Sequence, residues 1–254
     1  MADTTLIAWT DHTFNPWMGC TKVSAGCANC YAATMTKNRM GLSLWGDDAN
    51  RQVTKSPWKN VAQWERDSSN GVPGLLGDGI PHLVFTGSLM DWAEGRADLD
   101  AVRVRLWDVI RHSPHLWFQL LTKRPENIAG YLPPDWGSGY PNVWLGTSIE
   151  DMRVAERADH LRKIPAVVRF VSYEPALGSL NGLDLAGIDW VIYGGESGSG
   201  HRPEDKQWAR DMHAKCNETG AAFFHKQSAG YRTELGIELD GKIVREFPTP
   251  RAAA

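Results

Sequence analysis

The 254-residue chain is 42% apolar with a formal net charge of -3, which provides for one large core and gives no global electrostatic pull toward nucleic acid. No run of about 18 apolar residues occurs, and Met1-Ala2-Asp3-Thr4-Thr5 is not a basic segment leading into an apolar one, so a cytoplasmic protein with no membrane partner is expected. Four cysteines in a chain this long exclude a disulfide framework, and three of them lie between residues 20 and 30, where a reducing compartment would leave them free for metal.

The cysteine stretch, Gly19-Cys20-Thr21-Lys22-Val23-Ser24-Ala25-Gly26-Cys27-Ala28-Asn29-Cys30-Tyr31, follows a presumed first strand. Residues 31–81 form an expected insert in which Lys37, Arg39, Arg51, Lys55 and Lys59 interleave with Trp45 and Trp58. Such an insert could track a phosphate backbone with bases stacked on the indoles, or cover the barrel as a solvated, Trp-anchored excursion. Leu83-Val84-Phe85 then reads as a buried strand ending in Thr86-Gly87-Ser88, with Asp91 close behind. Leu99 to Arg111 places Val102, Leu106, Val109 and Ile110 on one helical face.

Further strands are expected at residues 116–121, 143–145, 167–171, 190–193 and 222–224. Their polar ends are Thr122-Lys123-Arg124, Gly146-Thr147-Ser148 with Glu150, Ser172-Tyr173-Glu174, Gly194-Gly195-Glu196-Ser197-Gly198 and His225-Lys226-Gln227. Ser148-Ile149-Glu150-Asp151 has the form of a capping box for a helix over 151–164. A third helix should run from Pro203 to Thr219, stopped by Gly220, with Cys216 a buried apolar residue within it. Alternation around Asp240-Gly241 predicts a hairpin at 235–247.

Alternating strands and helices predict an α/β chain, 1–254 as one domain. Six polar strand ends suggest one shared rim, which favours a partial or complete (β/α) barrel over an open doubly wound sheet. On that rim Lys123, Glu150 and Glu174 are candidates for substrate binding or proton transfer. The backbone N–H groups of Gly194 and Gly195, beside Glu196 and Ser197, could receive a carboxylate or phosphate. Ser88, Asp91 and Ser148 share the rim.

Thiolates are soft ligands suited to zinc or iron–sulfur clusters. With His12 the three cysteines would complete a Cys3His zinc tetrahedron, stabilising a non-catalytic nucleic-acid or protein-binding module. Alone, Cys20, Cys27 and Cys30 on a [4Fe-4S] cluster would leave one iron for a small molecule bearing an amino and a carboxylate group.

The cysteine loop after the first strand, the following Tyr31-Ala32 and the polar strand ends resemble radical S-adenosylmethionine enzymes built on a partial barrel, such as spore photoproduct lyase. Phe14-Asn15-Pro16-Trp17, Leu121-Thr122-Lys123-Arg124-Pro125-Glu126, Ser172-Tyr173-Glu174-Pro175 and Trp190 through Gly198 more closely resemble the phage-associated three-cysteine-motif family of bacteria, across nearly the whole chain. The usual radical enzyme spacing is C-x3-C-x2-C with an aromatic residue before the last cysteine, whereas this chain has C-x6-C-x2-C with Asn29 there. The resemblance implies S-adenosylmethionine as cofactor, with Ser88, Asp91, Ser148, Gly194, Gly195, Glu196 and Ser197 as its candidate contacts, and its reductive cleavage to a 5′-deoxyadenosyl radical. It further implies an electron donor, a possible protein partner, and nucleic-acid modification or repair.

Overall fold

A computed structural model describes residues 5–251. In chain order it contains β1 (His12–Phe14), β2 (Trp17–Met18), a 3-10 turn at Ala25–Cys27, α1 (Tyr31–Met40), β3 (Gln52–Val53), α2 (Pro57–Ser69) and β4 (His82–Thr86). Then follow α3 (Asp100–Arg111), β5 (Leu116–Thr122), α4 (Ile128–Tyr131), β6 (Val143–Ser148), α5 (Arg157–Arg162), β7 (Val168–Tyr173) and β8 (Trp190–Gly194). The last elements are α6 (Lys206–Thr219), β9 (Ala222–Gln227), β10 (Glu238–Leu239) and β11 (Lys242–Ile243).

Seven parallel strands form one sheet in the order β1-β4-β5-β6-β7-β8-β9. Each strand pairs with the next sheet strand in the chain, with no reversal. That is the order of a barrel, since a doubly wound sheet changes direction at a switch point. β1 and β9 remain the two edges, so the barrel is partial.

The period-2 alternation of each strand separates two cores. Val84, Phe118, Leu120, Leu145, Val171, Val191 and Phe223 face the helical layer. Leu83, Phe85, Trp144, Phe170, Trp190, Ile192 and Phe224 fill the concave side around Trp9, whose ring lies 4.5 Å from Phe85 and 6.1 Å from Trp190. Gly146 lies on that crowded side, where a Cβ would meet the Phe170 ring at 2.3 Å. Its missing side chain leaves the space that Phe170 occupies.

Four expectations change. The stretch 31–81 covers the sheet and is anchored by tryptophans, but it is not a solvated excursion, because α2 buries Trp58, Val61 and Trp64 and packs on β1, β4 and β5 as the first crossover helix. The helix expected over 151–164 is broken into a 3-10 turn at Met152–Val154 and the short α5. Asp151 caps that turn by accepting from the Arg153 N–H at 2.9 Å, which replaces the expected box. The helix expected from Pro203 begins at Lys206, where the Asp205 carboxylate accepts from the Gln207 N–H. The hairpin forms around Asp240-Gly241, both at positive φ, but its paired strands are confined to 238–243. Cys216 is buried in α6, where burial pushes its thiol up to about 12.

Candidate functional site

The strand ends open onto a cavity of about 260 Å³ whose lining includes Cys20, Cys27 and Cys30. Gly19 holds φ +106° just before Cys20, and a Cβ there would meet the Leu44 carbonyl oxygen at 2.4 Å, so the loop can enter this site only through glycine. Cys27 closes the 3-10 turn, and Cys30 is the residue from which α1 starts. Among the described residues no three His, Cys, Asp or Glu side chains form a ready-made cage for a single ion; the thiols are distributed over the lining of the cavity.

Cys20 differs from the other two. Arg124, 7% exposed, donates from Nη1 to the Cys20 Sγ at 3.6 Å and to Asp91 Oδ2 at 2.7 Å, and from Nη2 to the Thr21 carbonyl at 2.8 Å. Burial, with Asp91 nearby, pushes the Cys20 thiol up to about 12; Arg124 opposes this shift and Glu94 adds to it.

The expected rim residues separate into two groups. Ser88, Asp91, Lys123, Ser148, Glu174, Gly195, Glu196 and Ser197 line the cavity, as do Ser172 and Lys226. Glu150 and Gly194 are not part of the lining. Gly194 backs onto Glu174, where a Cβ would come 3.0 Å from Cδ. Glu150, 1% exposed, is directed at the cysteine loop, accepting from Ser24 Oγ at 2.8 Å and from Arg157 Nη1 at 3.1 Å, with Lys123 Nζ at 3.5 Å. Its carboxylate is engaged by these groups and faces the cysteine loop, away from the cavity lining.

Asp91 is likewise occupied, accepting from Thr122 Oγ1 at 2.5 Å, the Lys123 N–H at 3.1 Å and Arg124. Glu196 reaches the cavity but is paired with Arg202 and accepts from Asn29 Nδ2 at 3.0 Å. Burial would raise its carboxyl, but the hydrogen bonds from Arg202 and Asn29 and the Arg202 charge outweigh it and hold the group below the ordinary range.

What remains available to a ligand is a smaller set. Ser148 and Ser172 are register partners on β6 and β7, 1% and 3% exposed, and both line the cavity. Beside them Lys226, from β9, forms an ion pair with Glu174. Trp9, Phe85 and Leu121 complete the lining on the apolar side.

Arg51 and Trp58, expected either to meet a phosphate backbone and its bases or to belong to a solvated, Trp-anchored excursion, are both buried. Arg51 is bound to Glu94 through two hydrogen bonds of 2.8 and 2.7 Å, and Trp58 lies under the Arg105 guanidinium and edge-on to Phe14. Trp45 does line the cavity, its indole donating to Thr36 Oγ1 at 2.7 Å. His12, the candidate fourth zinc ligand, is stacked on Trp64 and bonded to His82 at 3.1 Å, and it does not line the cavity. Glu94, Ser24 and Ser172 were not singled out from the sequence; only the polar end of the 167–171 strand signalled the last of them.

No helix among the described residues is long and apolar enough to cross a membrane. The family model described as "Protein of unknown function (DUF5131)" matches residues 4–248. No curated protein and no solved structure matches the chain.

Proposed function

We propose, for a chain that belongs to the DUF5131 family of proteins of unknown function, an iron–sulfur enzyme of the radical S-adenosylmethionine type. Its substrate pocket would be the cavity at the strand ends of the partial barrel. One observation carries this reading: three soft thiol donors share a single cavity with two serine side chains and a lysine–glutamate pair. The donor set suits iron–sulfur chemistry, so Cys20, Cys27 and Cys30 would hold a [4Fe-4S] cluster. With S-adenosylmethionine and an external electron donor, that group would supply a 5′-deoxyadenosyl radical for hydrogen abstraction.

The chain's own residues account for the rest. Ser148 and Ser172, on the cavity lining, each offer a hydroxyl donor and acceptor to a bound ligand. Lys226 holds the Glu174 carboxylate in place on the cavity wall. Lys123, 3.5 Å from Glu150 and partly exposed, presents a cation to an incoming carboxylate or phosphate. Trp9 and Phe85 exclude water from the inner side. A nucleic-acid substrate would have to offer one unstacked base, since the cavity of about 260 Å³ admits no duplex. The exposed Lys37, Arg39, Lys55 and Lys59 remain to meet its backbone.

Anaerobically prepared protein should contain about four iron and four acid-labile sulfide per chain, and release 5′-deoxyadenosine when given dithionite and S-adenosylmethionine. A triple Cys→Ala variant at positions 20, 27 and 30 should do neither. One zinc and no sulfide per chain would overturn the proposal and favour the zinc-stabilised binding module.

A further inference from the structure

Three buried or nearly buried glutamates, from three different strand-end loops, each grip the cysteine loop beside one cysteine, and each is paired with its own arginine. Glu94 accepts from the Thr21 N–H, next to Cys20, at 3.0 Å and is held by Arg51. Glu150 accepts from Ser24 Oγ, three residues before Cys27, at 2.8 Å and is held by Arg157. Glu196 accepts from Asn29 Nδ2, next to Cys30, at 3.0 Å and is held by Arg202, whose Nη1 also donates to the Ala25 carbonyl at 3.0 Å. Gly26 fits against the second clamp because it has no side chain, since a Cβ would meet Glu150 Oε1 at 2.3 Å.

A carboxylate fixed by an arginine is a poor proton carrier, because its lone pairs are taken and its charge is stabilised. It is a good anchor for a neutral donor in a surrounding of low polarity. We infer that Glu94, Glu150 and Glu196 are positioning residues that set the cysteine loop in its ligand-holding shape before any metal arrives, one clamp per cysteine. This rests on reading the three cysteines as a ligand set, and it contrasts with small metal sites that fold only when the ion binds.

The inference is tested on metal-free, reduced protein by the alkylation rate of each cysteine with iodoacetamide, read by peptide mass spectrometry, with hydrogen exchange over residues 20–31. Wild-type protein should alkylate all three cysteines more slowly than the same protein in denaturant. Glu196→Gln and Asn29→Ala should each accelerate Cys30 by about ten- to a hundredfold, the worth of one hydrogen bond to a charged group, and leave Cys20 unchanged. Ser24→Ala should do the same for Cys27. The alanine variants remove the loop's half of each contact without leaving a charge unpaired, so they report even where a glutamate variant fails to fold.

Equal acceleration of all three cysteines in every variant would show general loosening and overturn the inference. So would a wild-type loop that alkylates at the denatured rate without metal. Iron and sulfide content, measured separately, reports on the radical-enzyme reading, and a clamped loop that takes up no iron would refute that reading alone.

Discussion

Arg51→Met removes the cation from the most buried of the three clamps. The two side chains are 0% and 4% exposed, so the small values typical of surface ion pairs do not apply. Arg51 also donates to the carbonyls of Leu44, Ala49 and Gly46 and to Thr21 Oγ1, all of which lose a donor in the variant. Breaking a buried pair from one side costs about 3–5 kcal/mol. At about 2–4 °C per kcal/mol for a chain of this size, Tm should fall by about 6–20 °C.

The loss should depend on pH with a definite sign. Burial acts to raise the Glu94 carboxyl, but the Arg51 hydrogen bonds and charge, with the Thr21 N–H, hold it below the ordinary range. A depressed carboxyl contributes stability above its unfolded pKa and loses that contribution as pH falls through the folded value. In the variant burial acts without Arg51, the carboxyl moves up, and the folded state takes a proton more readily. The gap to wild type should therefore be widest near neutral pH and narrow on acidification. Thermal melts by circular dichroism at about pH 7.5 and pH 5 would measure it. A Tm within about 2 °C of wild type at neutral pH, less than 1 kcal/mol by the same conversion, would refute the reasoning, as would a gap that widens at the lower pH.

Gly146→Ala should lower the urea midpoint by the equivalent of about 1–3 kcal/mol, because the new Cβ overlaps the Phe170 ring in a filled core; an unchanged midpoint would mean that the concave core is loosely packed. Lys226→Met leaves Glu174 without its partner on the cavity wall, and S-adenosylmethionine affinity measured by calorimetry should fall at least about tenfold, whereas unchanged affinity would remove that ion pair from the binding site.

The barrel was legible because strands buried on both faces read as continuous apolar runs and their polar ends recur at each one. Trp144, Phe170 and Trp190 stand in the sequence much as they stand in the core. The sequential order of the strands is not written in any one strand and came from the pairing. Which strand-end residues gather at the site was legible; what each of their side chains touches was not. Glu150 ends a strand and has the chemistry of an acid or base, but its use is decided by Ser24, 126 residues away in the chain. Asn29 and Glu196 are 167 residues apart. Arg51 looked like a surface cation because charge pattern cannot distinguish a solvated arginine from one sealed against a glutamate.

The clamps also impose an order in time during synthesis. A ribosome delivers Cys20, Cys27 and Cys30 early, but Glu94, Glu150 and finally Glu196 with Arg202 emerge only as later strands are made. At ordinary elongation rates the thiols wait on the order of ten seconds for their last anchor. During that interval they are unclamped nucleophiles on a nascent chain, open to oxidation or to adventitious metal. On the proposed iron–sulfur reading, a cluster would belong in the chain only after release, when the finished barrel holds the loop in place.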